Sequence, residues 1–567
     1  VAGVFDVAGV SGAVTVVGLK GAGSVELGAN TLDVTRANGV FSGTLAGSGG
    51  LNLKGGTLAL DGNNRHTGKT VVSNATLRTI ADANLGQGRS ALELRDGTWN
   101  TGASMTHDRG LLLAGKGTVD VDAATTLRES GTVGGSGVLV KDGAGTLILN
   151  GVLANGGGLN VAGGTLALGA DNTYTGDTTI GSGATLRIDR DANLGAAGNG
   201  LVLDGGRLHT TATLDSARGI EVTAKNGVID TEGAASVVTL DGDISGAGRI
   251  VKDGEGTLVL AGDNAGGRLA ANRPGDGWTG GLTINSGLVK VTNSWGLGWG
   301  SVMTFNSGTI HATVDILTGQ DITMGRKTDI NVDAGTTTTL AGGLISTGAG
   351  DGCFNKTGLG TLNVTGAARI DATCVLEGKL LANGVFASKV MVAKGATLGG
   401  AGTLQGDLIV HGTLSPGNSP GMLSADSNIT MAAGSTYKQD IGGARQAGMD
   451  TPIGAAGHYS FLHVVNGKRF TIEAGATLAP ALKNLYTPGQ AGYGSAQFVP
   501  ELGQNFLILT ADGGIDGRFD TLAQPDGLGA NTRLAAFYDH GGNNSIELKV
   551  LPASYATWAG DASANAR

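Results

Sequence analysis

The sequence is poor in the residues that build most globular cores and many binding sites. Aromatic residues make up 4 % of the chain, and only two cysteines and nine prolines occur among 567 residues. The formal net charge is −9 and there is no basic run, so nucleic acid is a poor partner. Without a stretch of about 18 apolar residues, the sequence predicts no membrane-spanning helix. The eight histidines are scattered and no CxxC pair is present, so we predict no metal site and no cofactor.

Glycine is the residue in excess, with 105 of 567 positions, near 19 %, against an average of roughly 7 %. A collagen helix is excluded because the glycines follow no three-residue period. Disorder is disfavoured because 40 % of the residues are hydrophobic. Gly, Asn and Asp recur about every five to ten residues, which is typical of short strands joined by tight turns.

One stretch of sequence recurs along the chain. Residues 164–195 read GTLALGADNTYTGDTTIGSGATLRIDRDANLG, and related copies lie near 56–86 and 256–288. Within each copy the leucines stand two apart, as Leu166 and Leu168 do, and therefore share one face of a strand. Self-similarity of this kind predicts stacked structural units.

The length of the chain selects among the all-β architectures. A β-chain of 567 residues without helical interludes is too long for one sandwich or barrel core. A right-handed parallel β-helix grows by adding coils, so we predict this all-β fold. With about 20 to 24 residues per coil and ~4.8 Å between coils, roughly 25 coils would form a rod on the order of 110 Å.

The two cysteines, Cys353 and Cys374, are 21 residues apart. This spacing is about one coil and would place them on adjacent rungs, at a distance compatible with a disulfide. A disulfide would indicate an oxidising compartment, whereas the alternative is two unpaired buried thiols.

The repeat resembles the passenger-associated transport repeat of bacterial autotransporters, the type V secreted proteins. Residues 164–195 match its pattern, residues 412–421 (GTLSPGNSPG) are similar to a turn-rich coil near the end of such passengers, and residues 505–520 are similar to a pertactin-type C-terminal module. The resemblance implies a β-helix passenger over 1–411, a C-terminal cap or autochaperone module over 412–550, and over 551–567 the start of a linker to an outer-membrane barrel that this chain lacks. It also implies display on the bacterial cell surface, or secretion after cleavage.

No motif in the chain predicts catalysis. His411-Gly412-Thr413 is similar to the histidine signature of subtilisin-like proteases, but no matching Gly-Thr-Ser nucleophile follows. Lys141 and Lys252 recur in Val-Lys-Asp-Gly, and recurrence in several repeats indicates turn chemistry rather than a catalytic site. We therefore predict that the chain is not an enzyme.

The third repeat is interrupted, and the interruption is the candidate binding site. Extra residues between 265 and 277 must leave the coil as a loop, and loops of this kind often bind partners. The loop carries Arg268 and Arg273, and Trp278, Trp295 and Trp299 are close in sequence. Arginine and tryptophan are common interface anchors, so we predict that these five residues bind a partner. The alternative is that Trp295 and Trp299 occupy a turn and cap the core.

These features predict a virulence passenger that acts by binding host macromolecules. The first expectation is capture of a host plasma protein for evasion of complement or the contact system, with the serpin C1 inhibitor as the partner that the resemblance suggests. The alternative is an adhesin for host cells or extracellular matrix. A polysaccharide-active β-helix is a third, since such enzymes carry carboxylates on one face of the coils.

Overall fold

A computed structural model gives the fold of the chain. It describes residues 3–554 except 267–276, 301, 326–327, 347–352, 449–450, 452–456, 485–496, 540–541 and 543. The chain divides into two compact units, an N-terminal unit that ends at Ser301 and a C-terminal unit that begins at Val302. Each unit is built from short strands, and among the described residues no helix has the length and apolar character needed to cross a bilayer.

The strands of the N-terminal unit are three to six residues long, except β30, which has two. In chain order they are β1 (Val4–Asp6), β2 (Val14–Val16), β3 (Ser24–Glu26), β4 (Leu32–Val34), β5 (Ala37–Phe41), β6 (Thr44–Ala46), β7 (Leu51–Leu53), β8 (Gly56–Leu60), β9 (Thr70–Ser73), β10 (Ala75–Thr79), β11 (Leu92–Arg95), β12 (Thr98–Thr101), β13 (Met105–His107), β14 (Leu111–Ala114), β15 (Lys116–Val121), β16 (Thr126–Glu129), β17 (Val133–Gly135), β18 (Val138–Asp142), β19 (Thr146–Leu149), β20 (Leu159–Val161), β21 (Thr165–Leu168), β22 (Thr178–Gly181), β23 (Thr185–Ile188), β24 (Leu201–Asp204), β25 (Arg207–Thr210), β26 (Leu214–Ser216), β27 (Ile220–Val222), β28 (Gly227–Thr231), β29 (Val237–Leu240), β30 (Ile244–Ser245), β31 (Ile250–Asp253), β32 (Thr257–Leu260), β33 (Leu282–Ile284) and β34 (Leu288–Val291). Short 3₁₀ helices are formed by Asp82–Leu85 and Asp191–Leu194.

The strands of the C-terminal unit, in chain order, are β35 (Val302–Phe305), β36 (Gly308–Ala312), β37 (Ile316–Thr318), β38 (Asp321–Met324), β39 (Thr328–Val332), β40 (Thr337–Leu340), β41 (Leu344–Ser346), β42 (Phe354–Thr357), β43 (Thr361–Val364), β44 (Ala368–Arg369), β45 (Ala372–Val375), β46 (Lys379–Ala382), β47 (Val385–Phe386), β48 (Lys389–Val392), β49 (Thr397–Gly400), β50 (Thr403–Leu404), β51 (Leu408–Val410), β52 (Thr413–Pro416), β53 (Met422–Ala425), β54 (Ile429–Met431), β55 (Thr436–Ile441), β56 (Arg445–Gln446), β57 (His458–Tyr459), β58 (Phe461–Val464), β59 (Phe470–Ile472), β60 (Thr477–Leu482), β61 (Asn505–Ala511), β62 (Ile515–Asp516), β63 (Thr521–Leu522), β64 (Thr532–Asp539) and β65 (Ser545–Pro552).

In both units, strands from successive coils stack as parallel sheets. In the N-terminal unit the longest stack runs from β5 through β8, β10 and β12 to β30. Its inward residues pair with one another in register, so that Leu58 lies beside Leu77 and Leu77 beside Trp99. These three side chains are fully buried. The spacing of 19 and then 22 residues between partners agrees with the predicted coil length, and the prediction of a parallel β-helix is confirmed.

Three stacks of this kind make up the C-terminal unit. One follows β36, β39, β42, β45, β48, β51, β54, β59 and β62, and Cys353 and Cys374 form a disulfide beside it, with a Cα–Cα distance of 5.7 Å. Of the two alternatives for the cysteines, the structure therefore shows the bridged one. Near the end of the unit, β65 pairs antiparallel with both β61 and β64. The side-chain amide of Gln524 bonds both the N–H and the carbonyl of Leu534 in β64 and so occupies part of that edge.

The module boundaries predicted after residues 411 and 550 remain predictions. Strand β65 extends to Pro552, and residues 555–567 of the predicted linker lie outside the described part of the chain.

Buried asparagines tie neighbouring coils together at the repeat's Asp-Asn step. The side-chain oxygen of Asn172 accepts the N–H of Leu153 at 2.8 Å, and its amide donates to the carbonyl of Asn193 at 2.7 Å. Asn264 in the third repeat bonds the preceding and following coils in the same way. Each asparagine thus satisfies backbone groups of two other coils that would otherwise be buried without partners.

At the Val-Lys-Asp-Gly turns, a buried lysine likewise bonds backbone groups of neighbouring coils. Lys252 is 0 % exposed, and its ammonium donates to the carbonyls of Asp253 and Gly254 at 2.7 Å and of Ser286 at 3.3 Å. The first two carbonyls belong to its own turn and the third to the next coil. Gly254 has φ +76, and a side chain there would approach the carbonyl oxygen of Thr231 to 2.1 Å, so this turn requires glycine.

The arrangement recurs at Lys141 and Lys356, which are also 0 % exposed and donate to three carbonyls each. Lys252 lies in register between Ile229 and Ile284, in a ladder of core residues. Burial lowers the pKa of all three lysines from the ordinary 10.5 to about 8. The turn-forming role expected for the Val-Lys-Asp-Gly sequence is therefore seen, with a fully buried side chain that the sequence did not indicate.

We expect Lys252→Met to destabilise the N-terminal unit by about 2–4 kcal/mol, because methionine fills the space but removes the ammonium that donates to three carbonyl oxygens. Chemical denaturation measures the change. Lys116→Met, at an exposed position of β15, is the matched control and should change the midpoint little. Equal midpoints for the two variants would show that the turn carbonyls need no donor.

The stability that Lys252 provides should increase with pH. Its pKa is lowered to about 8 in the folded chain, against 10.5 ordinarily, so between these values the unfolded chain binds more protons. The unfolding free energy therefore rises with pH in this window. We expect the difference between the native chain and Lys252→Met to be larger at pH 10 than at pH 7, as measured by denaturation at both values. A difference that shrinks would contradict the lowered pKa.

Candidate functional site

The third repeat differs from the first two at one turn. In the first two repeats this turn is the 3₁₀ helix Asp-Ala-Asn-Leu followed by glycine, and Leu85 and Leu194 anchor it in the core at 5 % and 3 % exposure. In the third repeat the sequence is Ser-Trp-Gly-Leu-Gly, and Leu297 is the corresponding anchor at 5 % exposure. The three buried leucines align the turns, so that the remaining positions can be compared one by one.

The tryptophans occupy surface positions of this turn. Trp295 stands where the other repeats have the exposed alanines Ala83 and Ala192. Trp299 stands where they have Gln87 and Ala196. Since alanine and glutamine occupy the equivalent positions of the other two repeats, a turn of this kind can form without the large aromatic side chains.

Trp295 and Trp299 form a paired aromatic surface, which we name the tryptophan ledge. Their ring centroids are 5.8 Å apart with an interplanar angle of 33°. Trp299 is 51 % exposed, and its indole N–H donates to the carbonyl of Ala265 at 2.9 Å. Its backbone N–H is held by the carbonyl of Trp278 at 2.8 Å. The ledge is thus fixed to the coil by hydrogen bonds while about half of Trp299 remains exposed to solvent.

Trp278 lies in the core, contrary to the prediction that it belongs to the binding surface. It is 0 % exposed, and its indole N–H donates to the carbonyl of Gly248 at 2.9 Å. Tyr174 and His66 fill the same position of the other repeats and are also 0 % exposed. The residue directly before Thr-Gly therefore points inward and carries a large ring in each repeat. Trp278 cannot contact a partner while the coil is intact.

Burial also fixes the chemistry of this core position. It lowers the pKa of His66 to about 4, with a smaller contribution from the charge of Arg109, so the imidazole is neutral at physiological pH. Burial raises the pKa of Tyr174 to about 12, and its hydroxyl bonds that of Thr178. Both rings are structural, and neither is placed to exchange protons with a substrate.

Arg268 and Arg273, the other residues of the predicted binding site, lie outside the described residues. Of the five predicted residues, the structure therefore brings Trp295 and Trp299 together on the surface and places Trp278 beneath them in the core.

Apart from the tryptophan ledge, a cluster of charged and polar side chains lies on the outward side of β25, β28 and β31. Arg207 bridges the carboxylates of Asp230 and Asp253, each at 2.8 Å, and His209 contacts Asp230 and Glu232, each at 3.0 Å. These carboxylates are engaged by cationic or potentially cationic partners, so the cluster is an ion-pair network between coils. Across the described ranges, no group of three or more His, Cys, Asp or Glu side chains has an arrangement suited to a metal ion.

Comparison with known proteins finds matches in the segments that carry the repeats. Residues 54–78, 139–168, 164–188 and 250–291 match the family described as Passenger-associated-transport-repeat. A stretch of 101 residues, 18 % of this chain, is 46 % identical to the "Adhesin BmaC autotransporter" of Brucella suis biovar 1 (strain 1330). The matched stretch spans 3 % of that adhesin, so the comparison concerns the repeat and not the whole relative.

The different positions of the tryptophans predict different effects on stability. Trp278→Ala should cost about 3–5 kcal/mol, because it opens a cavity in the core. Replacement of both Trp295 and Trp299 by alanine should cost about 1 kcal/mol or less, since alanine already occupies three of the four equivalent positions in the other two repeats. Thermal or chemical denaturation of the two variants measures both values. A large loss in the double variant would assign the ledge to the alternative role of capping the core.

Proposed function

We propose that this chain, which carries the passenger-associated-transport repeats of autotransporters, is an adhesin passenger that binds host cells or extracellular matrix through the tryptophan ledge. A surface or secreted location follows from the same relationship. The proposed action is binding and includes no catalytic step.

The observation that carries the proposal is the placement of two tryptophans at positions where the other repeats use alanine or glutamine. Large aromatic side chains bury much apolar area on contact and are enriched among the residues that dominate binding energy. The ledge is also held by the backbone of its coil, so little conformational entropy is lost when a partner covers it. A rigid, partly exposed aromatic pair is therefore suited to anchor a macromolecular contact.

The comparison favours adhesion among the functions that the sequence suggested. The related protein is described as an adhesin, and its matched stretch is 46 % identical. Capture of a plasma protein such as the serpin C1 inhibitor stays a prediction, and neither the repeats nor this relative favours it. The negative charge of the chain, −9, is compatible with either partner.

Binding of the purified chain to cultured epithelial cells and to wells coated with matrix proteins tests the proposal. Replacement of Trp295 and Trp299 by alanine should weaken binding at least about tenfold, because loss of two aromatic anchors typically costs more than about 1.4 kcal/mol. Leu112→Ala is the matched control: Leu112 is 36 % exposed and lies in β14 of the same unit, several coils before the ledge. The control should bind as the native chain does.

The same variants, immobilised and then exposed to human serum, distinguish adhesion from capture of a plasma protein. A native chain that binds cells or matrix, with a double variant that does not, supports the adhesin. Equal binding by the native chain and the double variant would contradict a role for the ledge. A native chain that binds neither cells nor matrix but retains one serum protein would overturn adhesion in favour of plasma-protein capture.

A further inference from the structure

The outward side of β48 and β51 in the C-terminal unit carries exposed apolar residues. In β48, Val390 and Val392 point inward at 2 % and 0 % exposure, while Met391 between them is 39 % exposed. In β51 the alternation is the same, and Ile409 is 46 % exposed. Met391 and Ile409 are direct partners in the parallel ladder, so their side chains lie on adjacent rungs, about 4.8 Å apart along the stack.

Opposite charges flank these two apolar residues on the same side of the strands. Lys389 lies two residues before Met391, and Asp407 lies two residues before Ile409, so all four side chains point outward. Lys389 and Asp407 are both exposed. The Asp407 carboxylate accepts hydrogen bonds from the backbone and side chain of Asn428 on the next rung, which hold it in place. We name these four residues, Lys389, Met391, Asp407 and Ile409, the Met391 face.

We propose that the Met391 face is a homotypic contact at which two copies of this chain pair face to face. The two-fold axis runs parallel to the strands and passes between β48 and β51. The rotation reverses the order of the rungs, so that Lys389 of each copy meets Asp407 of the other. Met391 of each copy meets Ile409 of the other in the same way.

The charge pattern selects a second copy over an unrelated partner. A two-fold axis places a surface against itself, and such a contact is stable only if the surface is self-complementary. The Met391 face satisfies this condition, since its cation and its anion exchange places under the rotation. The neighbouring rungs add no charge conflict: Ala372, the first residue of β45, comes opposite Asn428, and Cys374 comes opposite Thr430.

The contact is small and is therefore weak in free solution. Four residues on each side bury far less than the roughly 1,200–2,000 Å² of a stable interface. Many copies displayed side by side on a surface raise the effective concentration to the millimolar range, so weak contacts add up between two coated surfaces. The function of the Met391 face is accordingly to hold surfaces that carry this chain to one another, beyond the proposed adhesion to host structures.

Beads that carry the chain at high density test the proposal by charge complementation. Native beads should aggregate in low-salt buffer. Beads with Lys389→Asp alone, or with Asp407→Lys alone, should lose aggregation at least about tenfold, because each pairing then places like charges opposite one another. A mixture of the two variant beads should aggregate again, since both cross-pairs are then of opposite charge.

The controls exclude folding and non-specific charge effects. Both variants should stay folded with unfolding midpoints close to the native value, because the replaced side chains are exposed and Asp407→Lys removes only exposed hydrogen bonds to Asn428. Lys116→Asp, in the N-terminal unit, lowers the net charge by the same amount as Lys389→Asp and should aggregate as the native chain does. Replacement of Trp295 and Trp299 by alanine should also leave aggregation unchanged, so the outcome is independent of the adhesin proposal. Failure of the mixed beads to aggregate, or native aggregation by either single variant, would overturn the proposed contact.

Discussion

In-register stacking of parallel strands is the constraint on which the rest of this protein depends. Each inward residue lies on the equivalent residue of the next coil, as Leu58, Leu77 and Trp99 do, and the backbone hydrogen bonds between coils enforce that register. A polar group can therefore be buried only where the neighbouring coils supply its partners. Asn172 and Lys252 meet this condition, because each bonds carbonyls or N–H groups from more than one coil. The repeated turn sequences preserve these partners and so preserve the stack.

The same constraint leaves the outer surface free to vary. Inward positions of the repeats keep buried side chains, such as the anchors Leu194 and Leu297, whereas outward positions change from Ala192 in one repeat to Trp295 in another. A solenoid of this kind separates the residues that make the fold from those that give it a function. Binding residues can be added at a turn at small cost to stability, since they are not part of the core.

We propose two different contacts for two such surfaces. The tryptophan ledge in the N-terminal unit offers a rigid aromatic anchor, suited to a partner of different structure. The Met391 face in the C-terminal unit offers a small apolar centre with a self-complementary pair of charges, suited to a second copy. An adhesin that binds its target at one site and its own copies at another would hold cells to a surface and to each other, and each contact gains from many copies acting together.

The sequence by itself determined the fold class, the coil length and the register of the repeats, because glycine-rich turns and leucines two apart are properties of local backbone geometry. It also placed Cys353 and Cys374 one coil apart, which the structure shows as a disulfide. Only the tertiary structure decided that Trp278 is buried while Trp299 is exposed, and that Lys252 lies in the core. Strand alternation is lost in turns, so the direction of a turn side chain depends on the neighbouring coil. A buried ammonium is likewise unexpected until the carbonyls of two coils are seen to surround it.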